Sequence, residues 1–196
     1  VGTSLSGSKT GIVKGLVQIN LATPEASPMF DLKPIAPEAV PAALEKAHRY
    51  RLLNQPEQAE SICEDVLQID PDNQQAVVTL ILARTDRFTD PRPASPLEAR
   101  GLLPRLHSEY EREYYAGIVA EREGIAWLRS GKPRAGRATY ECLREAMECY
   151  ERAEAVRPEA NDDALLRWNS CARLIMAHPD LVPDDERLEV AASLGE

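Results

Sequence analysis

Aromatic residues are scarce in this chain: 5 % of its 196 residues are Phe, Trp or Tyr. A shortage of aromatic and β-branched residues disfavours sheets, which draw on both. No run of 18 apolar residues occurs, so no membrane-spanning helix is expected. The four cysteines, Cys63, Cys142, Cys149 and Cys171, form no CxxC pair, and no histidine stands at zinc-ligand spacing from them. Cys142 and Cys149, seven residues apart on one expected helix, are too distant for a disulfide. These absences predict reduced thiols, no metal and no cofactor, in a cytoplasmic protein. Neither HExxH nor GxSxG occurs, and His48, His107 and His178 are scattered, so no catalytic set is expected. GTSLSGSKTG at residues 2–11 misses a phosphate-binding loop, because Ser8 separates the second glycine from Lys9 and no strand precedes it.

Positive charge is also in short supply. Lys and Arg number 23 against 32 Asp and Glu, a net charge of −9. Residues 1–28 carry Lys9 and Lys14 against Glu25, a net +1, which leaves −10 on the rest. Such a body repels nucleic acid and anionic lipid, so neither is an expected partner. The one dense basic cluster is Arg129, Lys132, Arg134 and Arg137. It reads either as a solvated loop or as a contact for an acidic partner segment, since guanidinium forks bind carboxylates bidentately.

What the chain has in abundance is Ala, Leu, Glu and Arg, which favour helices. Apolar periodicity predicts helices over 38–54, 57–69, 74–85, 97–106, 107–128, 139–156 and 164–177, with a last short one from residue 183. Asp72 or Asn73 is the expected cap of the third, and Asn161 or Asp162 that of the seventh. Residues 86–96 read as a proline-broken loop and 129–137 as a Gly/Pro loop. The fold class expected is all-α.

Residues 1–28 differ, being rich in Gly, Ser and Thr with one β-type apolar run at 12–21. Lys14, Gln18 and Asn20 interrupt that run, so it lacks the apolar region of a signal peptide. Met29-Phe30 resembles a start of translation, which divides the chain into a non-helical segment (1–28) and a helical domain (29–196). The segment is either a flexible or appended tail or a ligand for the domain's own surface, in the same or a neighbouring chain.

One spacing occurs twice. Ala59, Cys63, Val66 and Pro71 lie four, three and five residues apart, and Ala146, Tyr150, Ala153 and Pro158 repeat those intervals. Small residues let helix backbones approach, larger ones fill the gaps, and proline stops the helix so that the next folds back. With Ala47 and Tyr50 before the first copy and Gly124 and Trp127 before the second, the pattern resembles the tetratricopeptide repeat, a helix–turn–helix unit of about 34 residues. The middle unit is degenerate: Val77, Leu80 and Ala83 suit its first helix only. Ala59 and Ala146 are 87 residues apart where two repeats need about 68, so about 19 are inserted, the loops after Asp86 and Leu128 being the natural places.

The resemblance implies a short α-solenoid of antiparallel helix pairs acting as a non-enzymatic adaptor, with a peptide of a protein partner held in a concave groove. In that family the first helix of each pair faces the groove, which singles out His48, Arg51, Leu82, Thr85, Glu121, Asn169 and Arg173. Some members clamp a terminal carboxylate with paired Lys and Asn; Asn169 has no matching Lys, so that activity is not implied. The alternative is a structural subunit whose repeats mediate self-association.

Overall fold

A computed structural model describes residues 30–183. The chain divides into two units, residues 1–33 and residues 34–196. In the first, only residues 30–33 are described; they are irregular, with Phe30 and Leu32 exposed. The loop-like motif at 2–11, the apolar run at 12–21 and the expected helix beyond Pro183 lie outside the described residues.

The second unit is all-helical among its described residues. Its helices are α1 (Val40–Leu52), α2 (Pro56–Ile69), α3 (Gln74–Asp86), α4 (Pro96–Arg100), α5 (Glu109–Ser130), α6 (Ala135–Ala155) and α7 (Asp163–Ala177). None of them is long and apolar enough to cross a membrane. Starts and stops follow local chemistry. Pro56 and Pro96 open α2 and α4, where the missing N–H costs nothing. The Asn73 side chain accepts from Ala76 N at 2.9 Å and Ser108 from Glu111 N at 3.3 Å, capping α3 and α5. Asn161 Oδ1 accepts from Asp163 N at 2.9 Å and helps start α7.

Two stretches depart from the periodicity. Residues 97–106 are not one helix: α4 ends at Arg100, and Leu103–Arg105 forms a separate 3-10 turn containing Pro104, which has no N–H to continue an α-helix. The basic segment is not an inserted loop either. Helix α5 runs on to Ser130 and is closed by Gly131 in the left-handed conformation (φ 61°), and α6 begins at Ala135. Residues 87–95 form the loop expected after Asp86, while the later extra length resides in the helices themselves, 22 residues in α5 and 21 in α6 against 13 in α1 and 14 in α2.

Each long helix packs against its neighbour in sequence: α1 on α2, α2 on α3, α5 on α6, α6 on α7. Helix α3 also meets α1, α4 and α5. The repeated spacing is the packing code, since Ala59, Cys63, Val66, Ala146, Tyr150 and Ala153 are all fully buried. Ala59 and Cys63 share a core with Ala47, Leu80, Ile81 and Val119; Ala146, Tyr150 and Ala153 share a second with Ala120, Leu143 and Cys171. Helix α5 is the wall between these cores, with Val119 in one and Ala120 in the other.

Two glycines let α5 approach α6 closely. Gly124 faces Cys142, Thr139 and Leu143, while the glycine that meets Tyr150 is Gly117. As the chain climbs α5 from 117 to 124 its partners descend α6 from 150 to 143, so the two run antiparallel.

Candidate partner-binding face

Three of the residues expected to face a partner converge at the end of α3, through two residues the sequence did not single out. Asp86 is the last residue of α3, where the helix dipole disfavours a carboxylate. Two guanidinium groups offset that cost. Arg51 of α1 donates from Nε to Asp86 Oδ2 at 2.8 Å, and Arg122 of α5 donates to Oδ1. Arg122 Nη1 also donates to Thr85 Oγ1 at 2.7 Å and to the Leu82 carbonyl at 3.4 Å, while the Thr85 hydroxyl donates to that same carbonyl at 2.8 Å. One carboxylate thus links α1, α3 and α5. Arg51, Asp86 and Arg122 stay partly open to solvent, at 15 %, 24 % and 24 % of their side-chain surface.

Glu121 is the neighbour of Arg122 but points elsewhere. It is 6 % exposed, accepts from the Tyr150 hydroxyl at 2.6 Å and pairs with Arg167 of α7 at 3.2 Å. Burial, and then the adjacent Glu121 charge, push the Tyr150 phenol far up from its ordinary range, so it stays a donor. Around this pair the tyrosines of α5 associate: Tyr110 stacks on Tyr114 at 5.7 Å, and Tyr114 tilts against Tyr150 at 6.0 Å. Tyr110 donates to Asn161 Oδ1 at 3.0 Å, a second link from α5 to the start of α7.

Of the seven residues, then, Thr85 and Glu121 are buried with their polar atoms engaged inside the protein, because each stands where two helices close on one another. His48 and Arg173 are exposed, and Arg51, Leu82 and Asn169 are half-buried. Arg51, Leu82 and Thr85 share the Asp86 cluster; His48 lies one turn before Arg51 on α1, and Asn169 and Arg173 lie one turn apart on α7. The chain matches no family model, no curated protein and no solved structure. Its surface chemistry has to be read from its own side chains.

The basic cluster is split by the fold. Arg137 sits on the first turn of α6 and pairs with Glu141 at 2.8 Å, and Arg134 adopts a left-handed conformation (φ 65°) just before that helix. Arg129 and Lys132, by contrast, line an open cleft of about 520 Å³ between the 87–95 loop and the last turns of α5. Its apolar walls include Phe88, Pro91, Pro93 and Ala94 on the loop side, and Ala126 and Trp127 on α5. The Lys132 ammonium stands 5.7 Å over the Trp127 ring, within cation–π range.

All four cysteines are free. Burial pushes the thiols of Cys63, Cys142 and Cys171 up to about 12 and that of Cys149 upward, so none is an activated nucleophile at neutral pH. Among the described residues no group of three or more His, Cys, Asp or Glu side chains could hold a metal ion.

Proposed function

We propose that this chain is a non-enzymatic interaction module of tetratricopeptide-repeat type. In this reading α1, α3, α5 and α7 are the first helices of successive pairs, forming a concave wall that receives an extended or helical segment of another protein. The observation that supports it is the Asp86 cluster: one carboxylate on α3 is held by Arg51 of α1 and Arg122 of α5, linking alternate helices. The Glu121–Arg167 pair joins α5 to α7 in the same way. Helices α2 and α6 pack against these from their sequence neighbours and carry both copies of the buried signature. Four free, buried or half-buried thiols fit a reducing compartment such as the cytoplasm.

The wall presents His48, Arg51, Leu82, Asn169 and Arg173, a mixed polar and apolar set suited to a few anchors rather than one deep pocket. Affinity capture with wild type, Arg173→Glu and, as a control on α6, Glu148→Arg tests it. A partner lost only with Arg173→Glu supports the wall; one retained by both variants sinks it. If residues 12–21 are a ligand for this surface, deleting residues 1–28 strengthens partner capture.

One observation favours a second reading, self-association. Helix α7 leaves Leu166 and Met176 exposed at 61 % and 69 %, on the last α-helix described. Sedimentation across a concentration series decides: a monodisperse monomer removes this reading.

A further inference from the structure

The cleft between the 87–95 loop and the end of α5 uses none of the residues of the proposed wall, and its construction argues for an occupant of its own. Its base is fixed. Phe88 is 7 % exposed and belongs to the core that holds Leu80, Ile81 and Val119, so the loop is anchored where it leaves α3. Pro91, Pro93 and Pro96 then restrict the backbone that forms the outer wall. A cleft preformed in this way loses little conformational entropy on binding. Its volume, about 520 Å³, suits one large side chain and the backbone on either side of it.

Charge chooses among occupants. Two acids line the cleft, and both have internal partners: Glu123 pairs with Arg100 at 2.8 Å, and Asp90 lies 3.9 Å from Arg87. The two cations that line it, Arg129 and Lys132, are exposed and have no carboxylate in range among the described residues; Lys132 rests on the Trp127 ring. On a chain of net charge −9 these are two cations without a carboxylate partner among the described residues, set beside an apolar slot.

We propose that this cleft docks a short acidic peptide segment of a partner protein. A Phe-sized anchor enters between Trp127 and the proline wall, while flanking Asp or Glu carboxylates meet Arg129 and Lys132. The inference does not depend on the concave-wall reading, and the two fail separately.

The test uses the full chain with Trp168→Phe, which leaves Trp127 as its sole tryptophan. The probe is a capped pentapeptide with Phe at its centre and two acidic residues on each side, followed by Trp emission and by titration calorimetry. Expected is saturable binding with a Kd below about 1 mM that weakens with added salt. Replacing the central Phe by Ala, or introducing Arg129→Glu with Lys132→Glu, weakens it at least tenfold, while Arg173→Glu leaves it unchanged. Neither heat nor an emission change with the acidic peptide overturns the proposal, as does equal binding of a peptide with Lys in place of the acids. Phenylacetate binding as tightly as the peptide also overturns it, by making the site one for a small carboxylate. Circular dichroism of the charge-reversal variant matching wild type ties its loss of binding to the two exposed side chains.

Discussion

The ring of Tyr150 fills the space beside Gly117 so closely that a Cβ on that glycine would lie 2.4 Å from Tyr150 Cε1. Tyr150 has no exposed surface and its hydroxyl is held by Glu121, so the ring has nowhere to retreat. Gly117→Ala gains about 1 kcal/mol of helix propensity but overpacks the α5–α6 crossing. The expected net effect is a loss of about 1–3 kcal/mol in urea unfolding. Adding Tyr150→Leu to Gly117→Ala relieves the clash, so the double variant is more stable than the sum of the two single changes predicts.

Removing only the hydroxyl separates packing from polarity at the same site. Tyr150→Phe keeps the ring but withdraws the donor from a carboxylate that is 6 % exposed. The expected cost is about 1.5–3 kcal/mol, typical of a hydrogen bond to a charged group. A loss within error of zero would mean that Arg167 alone satisfies Glu121.

Asp86→Ala leaves Arg51 and Arg122 facing each other without their shared counter-charge. Because the cluster is partly buried, the expected destabilisation is about 1–3 kcal/mol, between surface and buried pairs. Asp86→Asn, which keeps an acceptor, should cost less. Raising the salt concentration should narrow the gap between wild type and Asp86→Ala; a gap unaffected by salt would contradict an electrostatic origin.

The thiols set an alkaline limit. Burial raises Cys63, Cys142 and Cys171 from 9.0 to about 12, and Tyr115 from 10.0 to about 12. The unfolded chain releases these protons first as pH rises, so each group's contribution is fully present below about pH 9 and lost between there and about pH 12. Thermal melts should give a Tm independent of these groups at pH 7–8 that falls progressively above pH 9. In native protein at pH 8 a thiol reagent should label these cysteines slowly, and in guanidinium rapidly; fast native labelling of Cys63 would refute its burial.

The parts of the fold governed by short-range pattern were readable in the sequence. Ala59, Cys63 and Val66 and their counterparts 87 residues later are buried because the spacing places them on one helix face. Asn73, one of two residues able to cap α3, does so through its side chain. What the spacing could not give is which glycine meets which partner across a crossing. Gly117 and Gly124 lie seven residues apart, two turns along nearly the same face of α5, and only the antiparallel alignment with α6 tells them apart. The Asp86 cluster was opaque for a similar reason. Arg51 and Arg122 are 35 and 36 residues from it, and nothing local marks either as its partner. The cleft is lined by Phe88 and Trp127 together, from a loop and a helix end that sequence alone treats as separate segments.

Val119 and Ala120 are consecutive, yet they serve two different interiors. A rigid rod shared in this way cannot be turned or slid to suit one side without disturbing the other. Loss of either half therefore strips α5 of support along one flank, so the two halves should melt as a single cooperative body.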